Sequence, residues 1–236
     1  MVTAAVLAGG SGTRMGAEIP KQFLEINGKS LLLRSIEAFV RNQNVDNIIV
    51  AVGEGFFEYT KQLISEKVSS EKEIQVIVGG KTRSDTLFNV LEFMNKKGMS
   101  ENSIVLTHDA VRPFITDRII NDNIAAAEKY SACNTVVPAT DTILVSSDGQ
   151  FIDSVPPRST VYHAQTPQSF NAKRLYELCK GLPDEVFASL TDGCSVFTVC
   201  NERVYLVRGE EYNIKITYPE DIKRAENIAV QYFDNK

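Results

Sequence analysis

Short apolar runs alternate with amphipathic helical patterns over the first 138 residues, and this order restricts the chain to few architectures. The apolar runs are hydrophobic on both faces, which is typical of strands covered on both sides. The predicted strands are Val2–Leu7, Asn47–Val52, Ile74–Val78, Ser103–Thr107 and Thr135–Pro138. The predicted helices between them are Leu31–Arg41, Phe56–Lys67, Ser84–Lys97 and Asp117–Tyr130. Strand and helix in repeated succession predict a Rossmann-like α/β fold, a mostly parallel sheet flanked by helices.

The alternation stops after Pro138, where "TDTILVSSDGQFIDSVP" predicts two strands around an Asp148-Gly149 turn. This segment forms a β-arm over about residues 139–160. A protruding hairpin is marginal alone, so the pattern leaves open a dimerisation arm or a flap folded on its own domain. Further on, the sequence predicts helices at Ala172–Lys180 and Glu220–Phe233 and a strand at Arg203–Val207. Residues 1–236 are expected to form a single domain with this arm.

Composition restricts the class of partner. The net charge of −5 and the pI of about 5.2 argue against general nucleic-acid binding, while local cations can still hold a small anion. The four cysteines have no metal-site spacing and only two histidines accompany them, so reduced thiols are expected. No signal-peptide pattern or apolar run of about 18 residues occurs. We therefore expect a cytoplasmic protein without a membrane partner.

The glycines of "LAGGSGTRMG" follow the first predicted strand. Gly9, Gly10 and Gly12 permit close backbone approach, and successive N–H groups in such a loop can bind an anion. Ligands of doubly wound sheets bind at this end of the strands. The spacing fits neither a Walker A loop nor a dinucleotide fingerprint. A tight turn without a ligand is the alternative for the glycines alone.

Two cations accompany the glycines. Arg14 lies within the loop and Lys21 follows it in "PKQ". Either cation alone would more simply be a solvated surface charge. Together with the glycines they suit a triphosphate, whose negative charge must be balanced while its α-phosphate is attacked.

At this point the chain resembles a family. "LAGGSGTRMG…PKQ" is similar to the signature of sugar-nucleotide-type nucleotidyltransferases, and most similar to the cytidylyltransferases that make CDP-ribitol and CDP-methylerythritol. The resemblance continues in order along nearly the whole chain through "GGKTRSDTL", "THDAVRPF", "TDTI", "PPR", "AQTPQSF", "TDGCS" and "YNIKIT". It implies the nucleotide-diphospho-sugar transferase fold and transfer of CMP from CTP to a polyol phosphate.

The resemblance also implies roles for individual residues. The residues expected to act in catalysis are Arg14, Lys21 and Lys215. The residues expected to bind the nucleotide are Leu7, Ala8, Gly9, Gly10, Gly12, Gly80, Lys81, Thr86 and Asp109. Arg83 and Asp85 are expected to support the loop around the cytosine. For Asp85 a helix cap is as good an interpretation as a contact with the ligand.

Asp109 is expected to hold Mg²⁺, the implied cofactor. A carboxylate at the end of a strand suits this ion, which takes one or two carboxylates with phosphate oxygens; a cap or turn residue is the alternative. We expect His108 to be packed and hydrogen-bonded rather than a general base, because a phosphate monoester is already mostly dianionic at neutral pH. Arg112 is expected to brace Asp109.

Lys215 lies in "EYNIKIT" between two isoleucines. If Ile214 and Ile216 face the core of a strand, Lys215 faces the cleft, where the resemblance places the α-phosphate. An exposed position in an alternating strand is the alternative.

Three residues match positions that hold the phosphate of the acceptor in this family: Thr142, Arg158 and Thr166. Arginine suits bidentate phosphate binding, although Arg158 alone could be a surface residue. In the family the arm crosses to a partner subunit, which implies a homodimer in which Thr142 and Arg158 complete the neighbour's site.

The two candidate acceptors are D-ribitol 5-phosphate, for teichoic acid or capsule synthesis, and 2-C-methyl-D-erythritol 4-phosphate, for isoprenoid precursor synthesis. "HDAVRPF" and the absence of a basic segment in "DTILVSSDGQ" resemble the ribitol phosphate branch more closely. A CTP-binding protein without transferase activity is the alternative from another class.

Overall fold

The structure is a computed structural model that describes residues 1–10 and 19–234. Its strands are β1 (Val2–Ala8), β2 (Glu25–Ile26), β3 (Lys29–Ser30), β4 (Asn47–Val52), β5 (Ile74–Val78), β6 (Ile104–Asp109), β7 (Ala132–Pro138), β8 (Tyr162–Asn171) and β9 (Tyr205–Arg208). A seven-stranded sheet has the order β5-β4-β1-β6-β8-β7-β9, and β2 pairs with β3. Every neighbouring pair in the large sheet is parallel except those made by β8.

The helices are α1 (Leu31–Arg41), α2 (Phe57–Lys67), α3 (Arg83–Lys96), α4 (Asp117–Tyr130), α5 (Ala172–Gly181), α6 (Asp184–Ser189), α7 (Gly193–Val199) and α8 (Pro219–Tyr232). Alternate residues of β1 enter different cores, because successive side chains of a strand point to opposite faces. Ala4 and Val6 pack with α1, α2 and α4, whereas Ala5 and Leu7 pack with α3, α5 and α7. The predicted mostly parallel sheet with helices on both faces is therefore confirmed.

The sequence analysis did not predict β8, which lies between β6 and β7 and runs antiparallel to both. Its buried half is rich in polar residues, including Gln165, Thr166, Gln168 and Ser169, so its pattern does not resemble an apolar strand. The short helices α6 and α7 were missed as well. The orientation of β8 matters for function, since it brings the first half of the strand to the carboxyl end of β6.

The two strands predicted for the arm are not formed. One antiparallel bridge joins Val145 to Ser154, and the turn between them is fixed by Asp148, whose Oδ1 accepts hydrogen bonds from the backbone N–H groups of Gln150 and Phe151. Every residue from 144 to 155 is exposed to solvent. A lone hairpin with no face to bury gains little from a longer ladder, which explains the difference.

The four cysteines, Cys133, Cys179, Cys194 and Cys200, are free thiols, as expected. None of the helices in the described part of the chain has the length and apolarity needed to cross a membrane.

Candidate functional site

A cavity of about 300 Å³ opens at the carboxyl ends of β1 and β6, beside the loop that leads from β5 into α3. It brings together many of the residues predicted to bind the nucleotide or to act in catalysis. These are Leu7, Ala8, Gly9, Gly10, Lys21, Gly80, Lys81, Thr86, Asp109 and Lys215. Gly12 and Arg14 lie outside the described residues. The position of the cavity agrees with the rule that α/β sheets bind ligands beyond the carboxyl ends of their strands.

The loop at Gly80 is held tightly against the start of α3. The Thr86 hydroxyl accepts a hydrogen bond from the Gly80 N–H at 3.0 Å and donates one to the Thr82 carbonyl at 2.8 Å. A Cβ on Gly80 would lie 2.1 Å from the Asp85 Cβ, so only glycine fits. Thr82 and Asp85 form a reciprocal capping box at the helix N-terminus, and Asp85 therefore has the capping role that was one of its two expected roles.

Asp109 ends β6 and is the centre of a cluster of cations. Its Oδ2 lies 2.8 Å from Lys215 Nζ and 3.9 Å from Arg112 Nε, and its Oδ1 lies 3.4 Å from Arg83 Nε. Burial opposes ionisation of the carboxyl, but Arg83, Lys215 and Arg112 outweigh it and hold the pKa of Asp109 well below its usual range. The brace by Arg112 is confirmed. Arg83 contacts Asp109, a role in the site that the sequence analysis missed.

The segment that carries Lys215 is not a strand, contrary to the sequence analysis. One backbone hydrogen bond, from Ile216 N–H to the Val111 carbonyl at 2.9 Å, joins it to the rest of the cleft. Ile216 is fully buried and packs with α8, and Ile214 packs against the same cluster. The predicted orientation is nevertheless correct, because Lys215 lines the cleft.

Thr166 lies next to Asp109 because β8 is antiparallel to β6. Its hydroxyl accepts a hydrogen bond from the Asp109 N–H at 3.1 Å and contacts His108 Nδ1 at 3.0 Å, while His108 Nε2 lies 2.9 Å from the Arg112 carbonyl. Since a carbonyl can only accept, Nε2 carries the proton and the Thr166 hydroxyl donates to Nδ1. Thr166 is buried, and its hydroxyl proton is directed at His108 rather than into the cleft.

His108 is packed and hydrogen-bonded, as expected. Its side chain is fully buried and its ring meets that of Phe39 edge to face. Burial lowers the pKa of His108 to about 4, so the imidazole is neutral near pH 7.

The other two residues predicted to hold the acceptor phosphate lie on the arm. Arg158 Nη2 donates to Thr142 Oγ1 at 3.2 Å, and both residues are exposed. The structure thus brings Thr142 and Arg158 to each other, but neither lines the cavity of its own subunit.

Gln22 was also missed by the sequence analysis. Its Nε2 donates to the Ala8 carbonyl at 2.8 Å and its side chain is buried. This bond ties the short 3-10 turn Lys21–Phe23 to the end of β1 and fixes the backbone that carries Lys21. The sequence feature that could have identified Gln22 is its position in "PKQ", directly after the predicted cation Lys21.

Of the described residues that line the cavity, one is acidic, and that residue is Asp109. The described part of the chain contains no cluster of three or more His, Cys, Asp or Glu side chains that could hold a metal. Mg²⁺ takes as few as one carboxylate when phosphate oxygens supply further ligands. An ionised Asp109 fits such a site as a single protein ligand.

Comparisons with known proteins agree with this geometry. Residues 2–231 match the family model described as IspD, 2-C-methyl-D-erythritol 4-phosphate cytidylyltransferase. A 4-diphosphocytidyl-2C-methyl-D-erythritol synthase from Anaerococcus prevotii is 30% identical with a TM-score of 0.81, and the match covers 98% of this chain and 96% of that one.

Two further solved structures that resemble this chain are those of 2-C-methyl-D-erythritol 4-phosphate cytidylyltransferases. The one from Thermus thermophilus is 27% identical with a TM-score of 0.72, over 98% of this chain and 100% of the other. The one from Francisella tularensis is 25% identical with a TM-score of 0.77, over 95% and 97%. With the family model matching nearly its full length, the chain belongs to the IspD family of cytidylyltransferases.

Proposed function

We propose that this protein transfers CMP from CTP to a polyol phosphate and releases pyrophosphate. The observation that carries the proposal is the cation cluster at the carboxyl end of the sheet. Arg83 and Lys215 flank Asp109 in a cavity whose walls include Lys21 and the glycine-rich end of β1. Such a cavity suits an anion of high charge, and a nucleoside triphosphate is one.

The chemistry follows from the charges. A phosphate oxygen of the acceptor forms a bond to the α-phosphorus of CTP, and the bond from that phosphorus to the oxygen shared with the β-phosphate breaks, so that pyrophosphate leaves. Lys21, Lys215 and Arg14 bind the phosphates and stabilise the charge that develops in the transition state. The backbone at Gly80 and the side chain of Thr86 form the cytosine side of the cavity, next to Lys81.

No general base is required, because the attacking phosphate is already mostly dianionic near pH 7. This agrees with a buried, neutral His108. Asp109 would be the protein ligand of Mg²⁺, which when bound supplies charge neutralisation at the phosphate oxygens.

We propose 2-C-methyl-D-erythritol 4-phosphate as the acceptor. The support is the family model and the solved relatives, whose names contain this compound or its cytidylyl product. This reverses the preference of the sequence analysis for ribitol phosphate.

D-ribitol 5-phosphate is the second candidate, and two features of this chain favour it. Val111 of "HDAVRPF" forms part of the cavity wall, where the methylerythritol enzymes tend to have alanine. Ile143 and Leu144 follow Thr142 in place of a basic segment.

The deciding experiment is pyrophosphate release from CTP and Mg²⁺, assayed in parallel with each acceptor. We expect release with methylerythritol phosphate and at most a trace with ribitol phosphate. The reverse result would assign the ribitol reaction, and absence of release with both would indicate a CTP-binding protein.

The arm supports a homodimer as part of the same proposal. Leu144, Val145, Phe151, Ile152 and Val155 are each about half exposed or more, up to 73% at Phe151. Apolar side chains concentrated on a protruding segment are typical of a surface that a partner covers. A second copy of the chain would cover them and would receive Thr142 and Arg158 beside its own cleft.

A further inference from the structure

Lys215 lies on a segment without regular secondary structure. Between the end of β9 at Arg208 and the start of α8 at Pro219 there is neither a helix nor a strand. A lysine that must meet a phosphate in a defined geometry needs its backbone fixed, since displacements of about 1 Å can slow catalysis about a hundredfold. Other contacts must therefore hold this segment in place.

Ile216 provides one such contact through its backbone hydrogen bond to Val111, and Asn213, two residues before Lys215, provides side-chain contacts on the other side. Its side chain is fully buried. Its Nδ2 donates to the Thr166 carbonyl at 2.9 Å and to Gln165 Oε1 at 3.3 Å. Because a carbonyl only accepts, the contact with Thr166 fixes which way the amide points. The backbone carbonyl of Asn213 also accepts from Arg112 Nη1 at 2.8 Å.

Gln165, which accepts a hydrogen bond from Asn213, also contacts the start of the segment. Its Nε2 donates to the Glu210 carbonyl at 2.8 Å, and the Glu210 N–H donates back to Oε1 at 3.4 Å. A Cβ on Gly209 would lie 2.2 Å from Gln165 Oε1, so this part of the segment lies directly against the end of the Gln165 side chain. Asn213 and Gln165 thus fasten the Lys215 segment to the strand that runs past Asp109.

The amide of Asn213 carries an energetic cost. Its Oδ1 is buried and has no hydrogen-bond partner among the described residues, and an unsatisfied buried acceptor lowers stability. A small apolar residue would avoid that cost. The presence of an asparagine at this buried position is therefore best explained by its Nδ2 group, which donates to the Thr166 carbonyl.

We propose that Asn213 is a positioning residue for Lys215: by binding the Thr166 carbonyl it fixes the backbone that holds Lys215 against Asp109. The inference rests on the proposed role of Lys215 in binding the phosphates. It assigns Asn213 no contact with either substrate.

A double-mutant cycle tests the proposal. We expect Asn213→Ala to lower kcat about tenfold or more, with a small change in the KM for CTP. In a Lys215→Ala background the same substitution should change kcat less than about twofold, because the lysine through which Asn213 acts is absent. An equal loss of kcat in both backgrounds would overturn the proposal.

The matched control is Asn123→Ala. Asn123 is also fully buried and hydrogen-bonded, but it lies on α4, where its Nδ2 contacts Ile119 and Thr135. Its effect should be the same with or without Lys215. Thermal unfolding identifies the variants that fold. If Asn213→Ala does not fold, Asn213→Ser, whose hydroxyl is one bond shorter than the amide nitrogen, replaces it in the cycle.

A second measurement does not depend on enzyme turnover, so it can test the positioning role of Asn213 independently of the proposed function. Limited acylation of lysines, followed by mass spectrometry, reports how well the ion pair protects Lys215 from the reagent. Asn213→Ala should raise the labelling of Lys215 severalfold, and Asn123→Ala should leave it unchanged. Unchanged labelling in Asn213→Ala would refute the positioning role even if the wild-type enzyme releases pyrophosphate, and raised labelling would support it even if no acceptor reacts.

Discussion

At Gly80 the backbone and α3 lie closer together than any side chain permits. A Cβ there would meet the Asp85 Cβ at 2.1 Å and the Thr86 backbone nitrogen at 2.9 Å, contacts that require the backbone to shift. We expect Gly80→Ala to weaken CTP binding about tenfold or more, because the displaced atoms form the cavity wall. Isothermal titration with CTP measures this. Gly55→Ala is the control, since a Cβ at Gly55 meets nothing within 4 Å; equal affinities in the two variants would contradict the prediction.

His108 should make stability depend on pH. Its pKa is about 4 in the folded protein and about 6.5 in an unfolded chain. As the pH falls from about 6.5 towards 4, the unfolded state binds a proton that the folded state does not, which lowers the free energy of unfolding by up to about 3 kcal/mol. At pH 7.5 and above the imidazole is mostly neutral in both states and this loss disappears.

The measurement compares wild type with His108→Gln by urea unfolding at several pH values. Glutamine does not titrate, so the stability advantage of wild type should shrink between pH 7.5 and pH 4.5. An advantage that stays constant over this range would show that the folded protein protonates His108 as readily as the unfolded chain does.

At the scale of elements, the antiparallel strand β8 explains much of the site. The register pairs Thr107 with Gln168, so the chain two residues further along β6, at Asp109, meets Thr166. Had β8 been parallel, Thr166 would lie towards the other end of the sheet. Asp109 and Thr166 were predicted from two separate sequence motifs. The antiparallel direction of β8 brings them into contact.

The start of α3 provides a test of the two roles considered for Asp85. Thr82 N–H donates to Asp85 Oδ2 and Asp85 N–H donates to Thr82 Oγ1, each at 3.0 Å. If Asp85 only caps the helix, Asp85→Ala and Thr82→Ala should each lower the free energy of unfolding by about 1 kcal/mol. Both should then change the KM for CTP to the same small extent. A much larger rise in KM for Asp85→Ala than for Thr82→Ala would indicate a ligand contact.

At the scale of the whole molecule, the arm leads to a prediction about which subunit contributes each residue of the site. If it crosses to a partner, each site combines its own Lys215 with Arg158 of the partner subunit. Homodimers of Arg158→Ala and of Lys215→Ala should then be nearly inactive, while a heterodimer of the two contains one complete site and should recover about half of the wild-type activity. Co-expression with two affinity tags isolates that heterodimer. A heterodimer as inactive as its parents would show that Arg158 serves its own subunit.

The sequence predicted those parts of the molecule whose pattern is local. Apolar strands such as Asn47–Val52 and helices such as Asp117–Tyr130 have the observed bounds because burial imposes a regular period on their side chains. The polar strand β8 was missed because its buried side chains are satisfied by hydrogen bonds to distant residues. The arm was predicted to form two strands because polar and apolar residues alternate along it. The sequence does not show that the arm has no other surface to pack against, and this is why the strands do not form.

The sequence by itself determined the α/β class, the strand ends where ligands bind, and the residues of the glycine loop, "HDAVRPF" and "YNIKIT" that form the cleft. The tertiary structure alone decided that Arg83 and Lys215 meet Asp109, that Thr166 directs its hydroxyl at His108, and that Asn213 reaches Thr166. The physical reason is that these contacts join residues separated by 26 positions, for Arg83 and Asp109, to 106 positions, for Lys215 and Asp109. Their geometry depends on strand order and direction, which no local period of side chains encodes.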